Sequence, residues 1–106
     1  MNEQTIMRIC MLEASSLGAT VWRNNIGAYK DSRGIFVRYG VCNPGGSDLI
    51  GLYQGKFLGL EIKAPGKKPT DSQINFLSFV HKNGGLAGVC RCKEDVKKIL
   101  DGQFIL

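Results

Sequence analysis

The chain has 106 residues, 43% of them hydrophobic, with 14 Lys/Arg against 9 Asp/Glu and a formal net charge of +5. That length suits one domain, residues 1–106, around one core, and that apolar fraction excludes a disordered chain. The basic balance favours a polyanionic partner, nucleic acid first.

No apolar run approaches the ~20 residues that cross a bilayer, so no membrane association is expected. The opening MNEQ lacks the basic region of a secretory signal, and Arg8 and Glu13 interrupt the apolar positions that follow. The expected location is the cytoplasm. The four cysteines, Cys10, Cys42, Cys90 and Cys92, form no C-x-x-C pair, and the single histidine, His81, has no metal-ligand neighbour in sequence. Buried thiols are expected rather than a zinc or redox site.

From Glu3 to Leu17, the residues Ile6, Met7, Cys10, Ala14 and Leu17 recur at intervals of three and four, one helical stripe. Asn2 is placed to cap this helix and Gly18 to end it. Glu3 and Glu13 both lean toward the striped side. Thr20–Arg23 is a short strand candidate, and "NNIGAYKDSRG" reads as an exposed polar loop. Ile35–Val41 is a further strand candidate, and "CNPGG" (Cys42 to Gly46) a turn whose Gly45 and Gly46 reach conformations closed to other residues.

Ser47–Tyr53 and Lys56–Lys63 flank Gln54-Gly55, a workable two-residue hairpin turn. "APGKKPT" breaks the sheet, and Thr70 to Gln73 matches a T-x-x-Q capping box opening the helix "DSQINFLSFVHKN". Gly84-Gly85 ends it, Leu86–Cys92 reads as a strand, and "KEDVKKIL" as a short last helix before an apolar "FIL" tail. The order is helix, three or four strands, helix, strand, helix, in its shortest form α-β-β-β-α-β-α. A mixed α/β sheet flanked by helices is the natural solution.

The hairpin register has a chemical consequence. If Gln54 and Gly55 form the turn, Tyr53 faces Lys56, Leu52 faces Phe57 and Asp48 faces Glu61. Strand side chains alternate, so Glu61 and Lys63 share one face while Leu60 and Ile62 take the other. Directly opposed carboxylates repel, a poor choice for stability alone. A bridging divalent cation reverses that sign, and Mg²⁺ suits oxygen ligands from one or two carboxylates. The main-chain carbonyl of Ile62 is a further candidate ligand, and Lys63 a candidate to orient the attacking water and offset charge on a phosphate. The plain alternative is a turn aspartate and an edge-strand pair, because D…E-x-K also arises by chance.

"RNNIGA" (Arg23 to Ala28), "PGGSDLIG" (Pro44 to Gly51) and "FLGLEIKAPGKKPTDSQ" (Phe57 to Gln73) together resemble the VRR-NUC domain. That domain is a branch of the PD-(D/E)XK nucleases, related to restriction endonucleases and archaeal Holliday-junction resolvases. The resemblance runs roughly from Glu3 to Cys92. It implies a restriction-endonuclease-like core and metal-dependent hydrolysis of DNA, with Mg²⁺ as cofactor and Mn²⁺ able to substitute. It sets Asp48, Glu61, Lys63 and Gln73 in catalytic positions, and Glu3, Asp48, Glu61 and the Ile62 carbonyl around the metal. Glu13 is the alternative first-helix ligand, and the capping box alone could account for Gln73.

Pro44 is displaced from Asp48 by Gly45-Gly46-Ser47, and the V-R-R signature is reduced to "GVCRC", in which only Arg91 is basic. Arg23, Asn24, Asn25, Lys30 and Arg33 form a polar, basic segment expected to contact DNA. Lys67, Lys68 and Arg91 are further candidates, with a solvated loop as the alternative for the lysines. Trp22 and Tyr39 read as core or interface rather than base-stacking residues, and His81 as a surface residue. Small stand-alone members of viral or bacterial type are similar to junction resolvases and pair as homodimers, which implies branched DNA, two symmetric sites and, for a viral protein, the host cytoplasm. The FIL tail and first helix are candidate interface elements. Two other readings stand beside this one: a non-catalytic basic DNA-binding module, and a restriction-like or exonuclease activity.

Overall fold

A computed structural model describes all 106 residues. Helix α1 (Glu3–Ser16) starts where the Asn2 carboxamide oxygen accepts the Thr5 N–H at 2.8 Å, and stops at Gly18, which takes φ +95°. Its buried stripe is Ile6, Cys10 and Ala14. Five strands follow: β1 (Thr20–Arg23), β2 (Gly27–Lys30), β3 (Phe36–Tyr39), β4 (Leu49–Tyr53) and β5 (Lys56–Ile62). Helix α2 (Asp71–Lys82), β6 (Leu86–Cys90) and α3 (Lys93–Leu100) complete the chain.

The main sheet runs β1-β4-β5-β6. Its first three strands are antiparallel, whereas β6 lies parallel to β5, with α2 as the crossover that a parallel pair requires. Alternation along β5 sends Leu58, Leu60 and Ile62 into the larger core beside Ile6, Cys10, Val96 and Ile99 from α1 and α3. On the opposite face Ala87 and Val89 meet Phe76, Leu77 and Val80 of α2. The mixed sheet is thus covered by two helices on one side and one on the other. The turn at Gln54 (φ 50°) and Gly55 (φ 78°) has both residues in the left-handed region, which a tight two-residue hairpin demands. It pairs Tyr53 with Lys56 and Leu49 with Leu60, the register read from the sequence.

The strand count and the loop reading need correction. Five strands, not three or four, separate α1 from α2, because part of the supposed loop "NNIGAYKDSRG" is strand β2. It pairs antiparallel with β3 in a separate two-stranded sheet. Its turn is built by Asp31, whose carboxylate accepts the main-chain N–H groups of Arg33 and Ile35 at 2.8 and 3.0 Å. Only Val37 and Gly27 of this hairpin are shielded from solvent, so it has no apolar run to announce it.

The FIL tail, a candidate interface element, makes contacts within the chain through Phe104 and Ile105, while Leu106 is exposed. The Val89 N–H donates to the Ile105 carbonyl at 2.8 Å, Gly88 bridges Ile105 in parallel, and the Phe104 ring stacks on His81 at 4.7 Å. The tail closes the outer edge of β6, a position that would otherwise offer unpaired main-chain groups. Of the cysteines, Cys10 and Cys90 are buried as expected, whereas Cys42 and Cys92 are exposed.

Leu60 is fully buried while Leu52, on the neighbouring strand, is 52% exposed. Leu60→Ala is expected to cost about 3 kcal/mol and Leu52→Ala less than about 1 kcal/mol, measured by urea denaturation.

Candidate active site

The site lies where β5 runs out, at the open end of the β4–β5 hairpin. Extending the register one step past Leu49–Leu60 brings Asp48 opposite Glu61. Asp48 continues the ladder with its side chain: Oδ2 accepts the Ile62 N–H at 2.9 Å, while its main-chain carbonyl accepts the Asn24 N–H at 2.8 Å. One residue therefore ties the end of β4 to both neighbours and fixes its carboxylate beside Glu61.

Glu61 is only 2% exposed and points to the α2 side, the same face as its pairing partner Val89. Burial, aided by the nearby Asp48 carboxylate, raises its pKa to about 8, and the Lys63 ammonium opposes the shift. Lys63 Nζ stands 3.5 Å from Glu61 Oε2 and is itself mostly shielded. Glu61 Oε1, in contrast, is buried without any hydrogen-bond partner, the one side-chain atom of the chain in that condition. An orphaned buried carboxylate oxygen costs free energy unless a proton or cation satisfies it.

Glu3 approaches from the other face of the sheet, at the N-terminus of α1, and its Oε2 accepts the Ala64 N–H at 3.2 Å. It thus closes on the segment just after Lys63. Glu13 lies ten residues further along the helix, about 15 Å away along its axis, where it accepts a hydrogen bond from Ser16 at 3.2 Å. Of the two glutamates, Glu3 is the one beside the site. The carboxylates do not converge into a cage, for no group of three or more His, Cys, Asp or Glu side chains gathers closely enough to hold a metal. What the structure brings together is the pair Asp48 and Glu61, with Lys63 beside it.

Helix α2 begins with both halves of its capping box formed. Thr70 Oγ1 accepts the Gln73 N–H at 3.2 Å, and Gln73 Oε1 accepts the Thr70 N–H at 2.9 Å. The carboxamide oxygen of Gln73 is thereby occupied, whereas its Nε2 makes no hydrogen bond. The loop before β4 is pressed against this helix end: a Cβ on Gly45 would collide with the Ser72 carbonyl oxygen, and Gly45 has φ +101°. Glycine is required there on both counts.

Beside Asp48 opens a polar groove of about 550 Å³ lined by Arg23, Asn24, Asn25, Ile26 and Tyr39. Arg23 and Asn25 are exposed in it. Asn24 belongs to the framework instead. Its carboxamide donates to the carbonyls of Val41 and Ser47 and accepts the Val41 N–H, stapling the loop that delivers Asp48. Lys30 sits over the Phe36 ring at 5.1 Å, and Arg33 is held by Asp31 at 2.9 Å. Lys67 and Lys68 are exposed, while Arg91 donates to the Lys67 carbonyl at 2.7 Å and so braces their loop. Two residues of β3 were missed or only partly read: Arg38 is an exposed cation, and Tyr39, read as core or interface, lines the groove and is 48% exposed. Trp22, also read as core or interface, is 52% exposed. The alternation F-V-R-Y was the signal available for both missed residues.

Among solved structures, a chain described as "VRR_NUC domain" superposes with a TM-score of 0.62 at 20% identity, covering 96% of this chain and 97% of that one. No family model matches the sequence, and no curated protein does. The likeness defines the class: the chain has the fold of a VRR_NUC domain, a mixed α/β architecture of the restriction-endonuclease-like kind.

The elevated pKa of Glu61 has a sign that can be measured in the metal-free protein. Between pH 4.5 and about 8 the folded state keeps a proton that the unfolded state has released. Glu61 therefore subtracts stability as pH rises through that window, and its effect levels off above it. Thermal melts in EDTA are expected to show the melting temperature of Glu61→Gln overtaking that of the wild type as pH rises, with the gap widest above about pH 8.

Proposed function

We propose that the chain is a divalent-metal-dependent DNA endonuclease, hydrolysing phosphodiester bonds with a preference for branched DNA of the Holliday-junction type, and acting as a homodimer. The observation that carries this reading is the buried Glu61, opposed to Asp48, with one oxygen left without a partner. A module that only binds DNA gains nothing from burying like charges, and its fold would be more stable without them. The VRR_NUC-domain fold and the net charge of +5 support the same reading.

The donor set fits Mg²⁺, which takes one or two carboxylates and keeps several waters. Asp48, Glu61 and the Ile62 carbonyl would hold it, with Glu3 at the rim and Mn²⁺ as a competent substitute. When bound, the ion supplies a Lewis acid for the scissile phosphate. Glu61 would hold the ion as a carboxylate, so its proton would leave for solvent. Lys63, 3.5 Å from Glu61, orients the attacking water and offsets charge that develops on the phosphate. The free Nε2 of Gln73 donates at the start of α2, where the helix dipole also favours an anion. Arg23, Asn25, Lys30, Arg33, Lys67 and Lys68 hold the phosphate backbone on either side. A twofold dimer would place two such sites for paired cuts.

Cleavage of linear, forked and four-way DNA with Mg²⁺, Mn²⁺ or EDTA tests the proposal. Wild-type protein is expected to cut branched DNA preferentially and to lose activity in EDTA. Asp48→Asn, Glu61→Gln and Lys63→Met should each lower the rate at least about 100-fold while DNA binding persists. Cutting that survives in EDTA, or a fully active Glu61→Gln, would remove the metal mechanism. Calorimetric titration with Mg²⁺ near neutral pH should release about one proton per ion bound, and none for Glu61→Gln.

A further inference from the structure

The β2–β3 hairpin stands apart from the main sheet, and its two faces differ in chemistry. Register pairs Gly27 with Tyr39 and Tyr29 with Val37, so these four share one face; Ala28, Arg38, Lys30 and Phe36 share the other. On the first face the Tyr29 and Tyr39 rings lie 6.4 Å apart and tilted by 40°. They are 55% and 48% exposed, and no layer of the fold covers them.

Tyr39 is held in place from below. A Cβ on Gly27 would collide with the phenol oxygen and the adjoining ring carbon, so the ring rests against bare glycine backbone with its outer side open. The same residue lines the groove that contains Asp48 and Arg23. From Thr20 to Val41 the basic residues are Arg23, Lys30, Arg33 and Arg38, against a single acid, Asp31, which Arg33 already engages. The exposed rings beside Arg23 of the groove, with Lys30 and Arg38 on the hairpin's other face, suit a strand whose bases are unstacked, since each base offers a π face and each phosphate a charge. Intact duplex, with its bases stacked inside, offers these rings nothing.

We infer that this hairpin face is a stacking platform for unpaired nucleobases of the DNA held in the Asp48 groove, with Tyr39 as the residue that contacts the base. The inference rests on the nuclease reading only for the identity of the polyanion. It supplies a physical source for selectivity toward gaps, flaps and splayed forks, where unpaired nucleotides occur beside duplex.

Binding is measured in EDTA, without cleavage, to a splayed fork, to a gapped duplex and to a blunt duplex of equal length, with 2-aminopurine at the unpaired position of the first two. Tyr39→Ala is expected to weaken binding to the gapped and forked DNA about 10-fold, leave blunt duplex within about twofold, and abolish quenching of the 2-aminopurine. Tyr39→Phe should retain both binding and quenching. Gly27→Ala keeps the tyrosine but displaces its ring, and should reproduce the selective loss while melting as the wild type does. Equal losses on all three DNAs, unchanged affinity for Tyr39→Ala, or conversion of a dimer to a monomer in sedimentation would each overturn the platform, the last by making this face a contact between copies. Absence of cleavage by the wild type under every ion would sink the nuclease reading and leave the platform standing if the selective loss is seen.

Discussion

Two carboxylates face each other at the open end of a hairpin, one of them buried, and the surrounding structure can be understood as the means of holding them there. In the absence of a cation their proximity is unfavourable, and Glu61 relieves it by keeping a proton well above the ordinary carboxylate range. Asp48 cannot retreat, because its Oδ2 is bound to the Ile62 N–H and its carbonyl to the Asn24 N–H. Glu61 cannot retreat either: the neighbouring positions of its strand are locked into the core through Leu60 and Ile62. The repulsion is built in by the main chain.

The other elements converge on that end of the sheet from three directions. Helix α2 covers the face on which Glu61 lies, and the tight approach of Gly45 to Ser72 seats the preceding loop against its first turn. Helix α1 packs on the opposite face and reaches around the edge through Glu3 to Ala64. Arg91, just past β6, braces the lysine-bearing loop by its bond to the Lys67 carbonyl. Several polar residues that would pass for ligands are thus framework: Asn24 staples a loop, and the oxygen of Gln73 caps a helix.

Much of this was legible in the residues. Periodicity placed α1 and α2 within a residue or so, with Asn2 and Thr70 as caps, because both signals are local. The pairing of Asp48 with Glu61 followed from a two-residue turn, since a short turn dictates register. What escaped was non-local. Hairpin β2–β3 contributes almost nothing to a core, so no alternation of buried and exposed positions marks β2. The chemistry of Tyr39 left core and interface open; its ring rests on the bare backbone of Gly27 and is 48% exposed, outside the core. Nor could the choice between Glu3 and Glu13 be made from spacing; it needed the helix direction relative to the end of β5.

The tight turn at Gln54-Gly55 also makes the β4–β5 pairing local, while the burial of Glu61 is not. The turn closes the shortest loop in the main sheet, so the β4–β5 hairpin is the pairing the chain reaches at least entropic cost. In the hairpin alone Glu61 is in water and ionised near neutral pH. Its burial needs α2 and β6, whose docking requires a crossover of more than twenty residues. The proton kept by Glu61 is therefore a property of the complete sheet and its α2 cover, which the hairpin alone cannot supply.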